Sequence, residues 1–168
     1  IYLILGNTKG AKNILIKLVT KNPESYIGHK LLAQIHEKEG GQRKAVDEYV
    51  QAIDLNKKDY DSYYKVANLL TDLDKKDEAV QMLTNLLNKK PEYTDATILL
   101  GDLLIEREDY TEAVNIYMEA LTYNPESFSL KEHSLEEIAN TMCKSEVDHW
   151  INEIISLSTL LFSIFWGE

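Results

Sequence analysis

Four histidines and one cysteine are the side chains most able to bind a metal or to take part in catalysis. The histidines stand at positions 29, 36, 133 and 149, and the cysteine at position 143. His133, Cys143 and His149 lack the spacing of zinc ligands. No Gly-rich phosphate loop, Gly-x-Ser-x-Gly turn or His-Glu-x-x-His motif occurs. Carboxylate pairs such as Glu106 and Asp109 are more typical of a solvated helix face than of a general acid and base. We therefore expect no catalytic residue, no metal site, no cofactor and no enzyme activity.

The elements that carry these residues recur with a period of 34 residues. The segment Asn22-Pro23-Glu24-Ser25 returns as Asn124-Pro125-Glu126-Ser127, three periods later. Alanines at 11, 45, 79 and 113 fall on the same lattice, as do prolines at 23, 91 and 125. Such a period is the sequence signature of a repeat architecture.

The residue types on this lattice fit pairs of packed helices. Two helices cross with their axes about 8–10 Å apart, which requires small side chains at the crossing. Ala33, Ala67 and Gly101 supply them on the first helix of each pair, and the alanines at 45, 79 and 113 on the second. Large residues at 49, 83 and 117 fill the neighbouring gaps. Proline ends each unit, and Lys57, which takes its place once, predicts a less sharp boundary there.

This pattern resembles the tetratricopeptide repeat (TPR) family. The third unit shows it best, in Leu100-Gly101, Ala113, Tyr117, Ala120 and Pro125. The resemblance implies an all-α, right-handed superhelical solenoid of antiparallel helix pairs. It divides the chain into the end of an earlier unit at 1–25 and three units at 26–59, 60–93 and 94–127. We predict first helices (A) near 26–39, 60–73 and 94–107, and second helices (B) near 42–55, 76–89 and 110–123. Gly40-Gly41 and Asp74-Lys75 are predicted A–B turns.

The resemblance also implies a binding groove on the concave face, lined by the A helices. Its recurring positions map here to a partner-binding set: Lys30, Gln34, Tyr64, Asn68, Thr71, Ile98, Asp102, Ile105 and Glu106. A solvated helix face is the alternative interpretation of the same residues. TPR proteins that bind chaperone C-termini hold two carboxylates with cations, but here Asp95 and Leu99 stand at two of those positions. We therefore expect no such clamp within the three units.

The distribution of charged residues along the chain indicates which class of partner it binds. Residues 1–23 carry four lysines and no acid, whereas residues 92–168 carry 3 basic and 16 acidic residues. Nucleic-acid binders usually present a basic face, so we expect a protein or peptide partner, with a basic segment as the natural fit, and not RNA or DNA. The lone cysteine and the absence of a glycosylation motif point to an intracellular location, cytoplasmic or nuclear. Residue 1 is Ile rather than Met, so we expect a fragment, and a targeting segment ahead of it stays open.

A shorter resemblance concerns residues 28–56. The stretch Gly28-His29-Lys30-Leu31-Leu32, followed by Lys44-Ala45-Val46, Tyr49 and Leu55-Asn56, is similar to the N-terminal TPR region of the large Ran-binding nucleoporin. It implies an alternative function as a structural spacer in a nucleoporin-like assembly, with no groove ligand.

Residues 128–168 depart from the repeat. We predict a helix near 134–144 and a second apolar run that ends in the nearly continuous stretch 157–166. That run is shorter than the roughly 20 apolar residues that cross a bilayer, so we predict no transmembrane span. Three interpretations stay open. The segment caps the array, contacts a partner, a membrane surface or a second copy of the chain, or is a misassigned end of the coding sequence.

Overall fold

The structure, a computed structural model, describes residues 8–123. Seven α-helices and no strand occupy this range. They are α1 (Thr8–Lys21), α2 (Tyr26–Lys38), α3 (Gln42–Leu55), α4 (Tyr60–Asp72), α5 (Lys76–Lys89), α6 (Thr94–Glu106) and α7 (Tyr110–Tyr123). None of the described helices is long and apolar enough to cross a membrane.

The helices form three successive pairs that stack on one another. α2 packs on α3, α4 on α5 and α6 on α7, while α1 contacts α2, α3 contacts α4 and α5 contacts α6. Each A and B helix lies where the period of 34 residues predicts it, within one residue at its end. The predicted all-α solenoid is therefore confirmed. The division of the chain into units remains a prediction, and the C-terminal segment 128–168 lies outside the described residues.

The core follows the pattern of small and large side chains. Ala33, Ala67 and Gly101 are buried at the crossings, together with the alanines at 45, 79 and 113. One continuous apolar cluster runs from α2 to α7, and a smaller one joins α1 to α2. The closest packing is in the third pair, where the ring of the fully buried Tyr117 lies against the backbone of Gly101.

The same hydrogen-bonded turn ends each A helix. Gly40, Asp74 and Glu108 have positive φ angles of 74°, 59° and 64°. In each case the N–H of the next residue donates to a carbonyl five residues earlier, as in the 2.8 Å bond from Gly41 N to His36 O. This is the Schellman arrangement, in which a left-handed residue satisfies the last carbonyls of a helix. Only Gly40 adopts that conformation without strain.

The boundary after α3 is as sharp as the others, so the expectation based on Lys57 was wrong. α3 ends at Leu55, which is one period before the end of α5 at Lys89. The side-chain oxygen of Asn56 accepts a 3.2 Å bond from the N–H of Lys58, so the turn forms here without proline.

Candidate partner-binding face

The nine residues predicted to bind a partner lie on one face of the A helices, here named the A face. They recur at spacings of three and four residues, which place side chains on the same side of a helix. All nine retain solvent access, whereas Ala33, Ala67 and Gly101, beside them in sequence, are buried. The structure thus presents these side chains together, and their binding role remains a prediction.

Lys30 is engaged within the array. Its ammonium lies 2.7 Å from Asp59 Oδ1 and 3.0 Å from Asp61 Oδ2. Burial acts to lower the pKa of Lys30, but hydrogen bonds and charge from Asp59 and Asp61 outweigh it and raise the pKa above its ordinary value. Asp59 is itself buried and also accepts a 2.7 Å bond from the hydroxyl of Ser62. Lys30 therefore joins the first pair to the second, in addition to any contact with a partner.

A cleft opens on the A face between α2 and α4. It measures about 400 Å³ and is lined by Gln34, Glu37, Lys38, Tyr49 and Lys65. Glu37 spans its base, accepting a 2.9 Å bond from the hydroxyl of Tyr49 and lying 3.4 Å from the ammonium of Lys65. Burial and the neighbouring Glu37 raise the pKa of Tyr49, which keeps the phenol protonated. The side-chain amide of Gln34 makes no hydrogen bond with any group in residues 8–123.

Tyr64, Asn68 and Thr71 form the middle of the A face on α4. The Tyr64 ring packs against Tyr93, with the centroids 5.6 Å apart. Asn68 Nδ2 donates a 3.1 Å bond to the carbonyl of Tyr64, and the Thr71 hydroxyl donates a 3.0 Å bond to the carbonyl of Ala67. The Asn68 carbonyl oxygen keeps its accepting capacity for another group.

Aromatic rings and a cation continue this region toward the loop before α6. The ammonium of Lys90 lies 5.5 Å from the ring centroid of Tyr60 and 5.8 Å from that of Tyr93. Both distances fall within the range of a cation–π interaction. Tyr93, which lies next to Tyr64, therefore belongs with this surface.

The third unit is the acidic end of the A face. Asp102 accepts a 3.3 Å bond from the hydroxyl of Tyr117, and Glu106 lies 2.8 Å from the ammonium of Lys76. Ile98 and Ile105 are partly exposed between them. This end thus combines carboxylates with apolar side chains.

Several residues of this surface are absent from the predicted set. Tyr49 and Lys65 build the cleft together with Glu37, which does stand on a groove position of the family, and Asp59 holds Lys30. Tyr49 and Asp59 could not be found from the groove positions of the family, because neither stands on one. Periodicity reports which face a residue occupies, but it does not report which side chains meet between units.

The two described histidines have structural surroundings. His29 lies 2.7 Å from Glu48 through Nδ1 and 3.0 Å from the carbonyl of Pro23 through Nε2. His36 is buried, and burial together with the charge of Lys12 lowers its pKa. Both described histidines are therefore partly or fully buried within the array. Among residues 8–123, no group of three or more His, Cys, Asp or Glu side chains is arranged to hold a metal.

Comparison with known proteins agrees with this architecture. A family model described as tetratricopeptide repeat matches residues 70–131. The chain is similar to the crystal structure of a tetratricopeptide repeat protein from Parabacteroides merdae, with 24% identity, a TM-score of 0.73, and coverage of 91% of this chain and 62% of that one. No curated protein matches the sequence.

Two structures of MamA are also similar. One shares 24% identity over 78% of this chain and 71% of its own, with a TM-score of 0.65. The other, a MamA RS-1 ArsTM double mutant, shares 16% identity over 96% of this chain and 91% of its own, with a TM-score of 0.68. At these identities the structural likeness shows the fold. The nucleoporin resemblance is unconfirmed by these comparisons. The repeat period, the helix pairs of residues 8–123 and the family model over residues 70–131 agree, so this part of the chain has the tetratricopeptide repeat fold.

Proposed function

We propose that the chain is a protein-interaction scaffold whose A face binds a peptide segment of a partner. The observation that carries the proposal is a row of polar side chains one repeat apart, Gln34, Asn68 and Asp102. Gln34 has its whole amide available among the described residues, and Asn68 has its carbonyl oxygen. An amide side chain can donate to a backbone carbonyl and accept from a backbone N–H. A row of such groups suits an extended or helical peptide laid along the array.

Apolar anchors beside this row support the proposal. The Tyr64 ring is partly exposed and held by Tyr93, so a partner side chain could pack on it at a small cost in conformational entropy. Ile98 and Ile105 offer further apolar area at the third unit. Interfaces draw most of their affinity from a few such anchors.

Charge supports a basic residue in the partner near α6. Three exposed carboxylates lie there, those of Asp95, Asp102 and Glu106. Among the ion pairs of residues 8–123, the only one that involves these carboxylates joins Glu106 to Lys76. A lysine or arginine of the partner would meet an acidic surface, and the attraction would weaken as salt is added.

A displayed library of random peptides tests the proposal. Peptides selected on the full chain are measured against the double variant Gln34→Ala/Asn68→Ala and a matched control, Gln81→Ala/Asn85→Ala, which removes the same groups from exposed positions of α5. Each lost hydrogen bond costs about 0.5–1.5 kcal/mol, so we expect about tenfold weaker binding for the A-face variant only. Equal binding by both variants, or a loss confined to the control, would refute the proposal.

A structural spacer is the second candidate, and one observation favours it. Ion pairs on the A face join each helix pair to the next. They are Lys30 with Asp59, Glu37 with Lys65, and Glu106 with Lys76. In a spacer, the A-face side chains would serve only to hold successive helix pairs together. A library that yields no selectable peptide, together with an unchanged solution shape in the Gln34→Ala/Asn68→Ala variant, would favour the spacer.

A further inference from the structure

A second surface lies away from the A face, at the edge formed by the A–B turns. A cleft there is bordered by Lys12 of α1, by His36 and Glu39 of the α2 end, and by Arg43 and Lys44 of the α3 start. Three lysine or arginine side chains therefore meet one carboxylate. That carboxylate, Glu39, forms an ion pair with Lys12 and also feels the charge of Lys44. Neither Arg43 nor Lys44 forms an ion pair of its own in residues 8–123.

The two cations stand in the first turn of a helix, where anions are normally favoured. The N-terminus of a helix carries a partial positive charge and free N–H groups. Gly41 precedes α3 and has no side chain to cap it, and the first turn of α3 contains no acid. At the same positions one repeat later, α5 carries Asp77 and Glu78. In α3 the side-chain charge therefore adds to the helix dipole, and the local field attracts an anion.

His36 supplies an independent observation in the same cleft. Its residue is only 8% exposed, and its ring makes no hydrogen bond with the described residues. Every fully buried side-chain nitrogen or oxygen in residues 8–123 has a partner, so the unpaired ring nitrogens reach the cleft surface. A Cβ atom built on Gly41 would lie 3.7 Å from His36 Nδ1, which places this nitrogen beside the start of α3. A ring N–H is thus available to an acceptor lodged in the cleft.

We propose that this cleft binds a phosphoryl group. Its oxygens would accept from the N–H groups at the start of α3, from the Arg43 guanidinium and the Lys44 ammonium, and from the ring N–H of His36. A tetrahedral oxyanion can accept from several directions at once, and Arg and helix N-termini are its usual ligands in proteins. The other polar side chain at the site is Gln42. Its Nε2 donates a 3.3 Å hydrogen bond to Asp72 Oδ2, and it adds no positive charge. The site is separate from the A face and does not rest on peptide binding there.

NMR titration of the full chain tests the site directly. Sodium phosphate is added against sodium chloride at equal ionic strength and constant pH, while the backbone amides of residues 42–45 and the His36 ring are followed. We expect saturable shifts at both places. Replacing Arg43→Gln/Lys44→Gln, both exposed, should weaken phosphate at least about tenfold. The control Lys75→Gln/Lys76→Gln removes the same charge from the start of α5 and should leave the affinity unchanged.

Two further ligands identify the source of the phosphoryl group. One is a short peptide whose only charged side chain is a phosphoserine, and the other is the same peptide without the phosphate. Tighter binding of the phosphopeptide than of inorganic phosphate identifies a phosphorylated chain as the ligand, and equal affinity identifies free phosphate. No saturation with either ligand, or equal phosphate affinity in the two charge variants, would overturn the site. The Gln34→Ala/Asn68→Ala variant should bind phosphate as the native chain does, so failure of the peptide groove and failure of this site are separate results.

Discussion

The contact between Gly101 and Tyr117 predicts that the effect of one substitution will reverse sign in two backgrounds. A Cβ added at Gly101 would lie 2.3 Å from Tyr117 Cζ and Oη and 2.5 Å from Cε2. Ring atoms at those distances have to move by roughly 1 Å to reach ordinary van der Waals separation. Tyr117 is fully buried and its hydroxyl lies 3.3 Å from Asp102 Oδ1, so the ring has little room to move.

The magnitude follows from two opposing effects. Overpacking of a core costs about 1–3 kcal/mol, while alanine is about 0.5–1 kcal/mol better than glycine inside a helix. Gly101→Ala should therefore destabilise the native chain by up to about 2.5 kcal/mol. In the Tyr117→Leu background the ring is absent, so the same substitution should stabilise by about 0.5–1 kcal/mol. The double variant reproduces Ala67 and Leu83, the fully buried pair at the same positions of the second unit.

A double-mutant cycle measures this reversal. Urea unfolding of the native chain, the two single variants and the double variant is followed by circular dichroism, and the free energies are compared where the slopes agree. We expect a coupling energy of about 1–3 kcal/mol, which is typical of residues in direct contact. Additive effects, or an equal destabilisation by Gly101→Ala in both backgrounds, would refute the packing argument.

The remaining predictions concern a turn, an ion pair and a titration. Glu108→Gly should stabilise by about 0.5–1 kcal/mol in urea unfolding, because it relieves a left-handed backbone, and Gly40→Ala should destabilise by about 1 kcal/mol. Lys30→Met should cost about 1–3 kcal/mol, because it leaves the buried Asp59 carboxylate without its cation. The free energy of unfolding should fall as the pH is lowered from about 7.5 to about 5.5, because the pKa of His36 is lowered in the folded chain and the unfolded chain therefore binds a proton more readily. His36→Gln should reduce this dependence on pH.

Each of these predictions has a control. A Cβ at Gly40 would meet nothing within 4 Å, so an unchanged stability in Gly40→Ala would contradict the conformational argument. Lys57→Met removes an exposed ion pair with Asp54 and should have little effect. A loss as large as that of Lys30→Met would show that burial does not set the cost. An unaltered pH slope in His36→Gln would assign the slope to other groups.

The helix order could be predicted because local packing rules repeat with the sequence. The alanines at 45, 79 and 113 mark the helix crossings, and the structure buries each of them. The third A–B turn was harder to predict, since Glu108 is neither a glycine nor a usual turn residue. The backbone hydrogen bonds at the end of α6 hold Glu108 in the left-handed conformation, and the type of this residue gives no signal for such a turn.

For the candidate site, the sequence predicted which residues share one face of the helices, but not which of their side chains are in contact. Helical spacing placed Gln34, Tyr64 and Asn68 together on the exposed side of their helices. The pairing of Lys30 with Asp59, and the cleft that Lys65 shares with Tyr49, depend on how far one pair is rotated on the next. That rotation comes from the sum of many core contacts, so it cannot be deduced from a repeat pattern.

The central claim, that the A face binds a peptide, is tested most directly by the side-chain amide signals of the chain in NMR spectra. A peptide selected from the library is titrated into the full protein, and the NH₂ resonances of Gln34 and Asn68 are compared with those of Gln81 and Asn85 on α5. We predict saturable shifts for Gln34 and Asn68 alone, with the same affinity for both. Shifts of Gln81 and Asn85 while Gln34 and Asn68 stay unchanged would contradict the claim and place the binding site on the B helices.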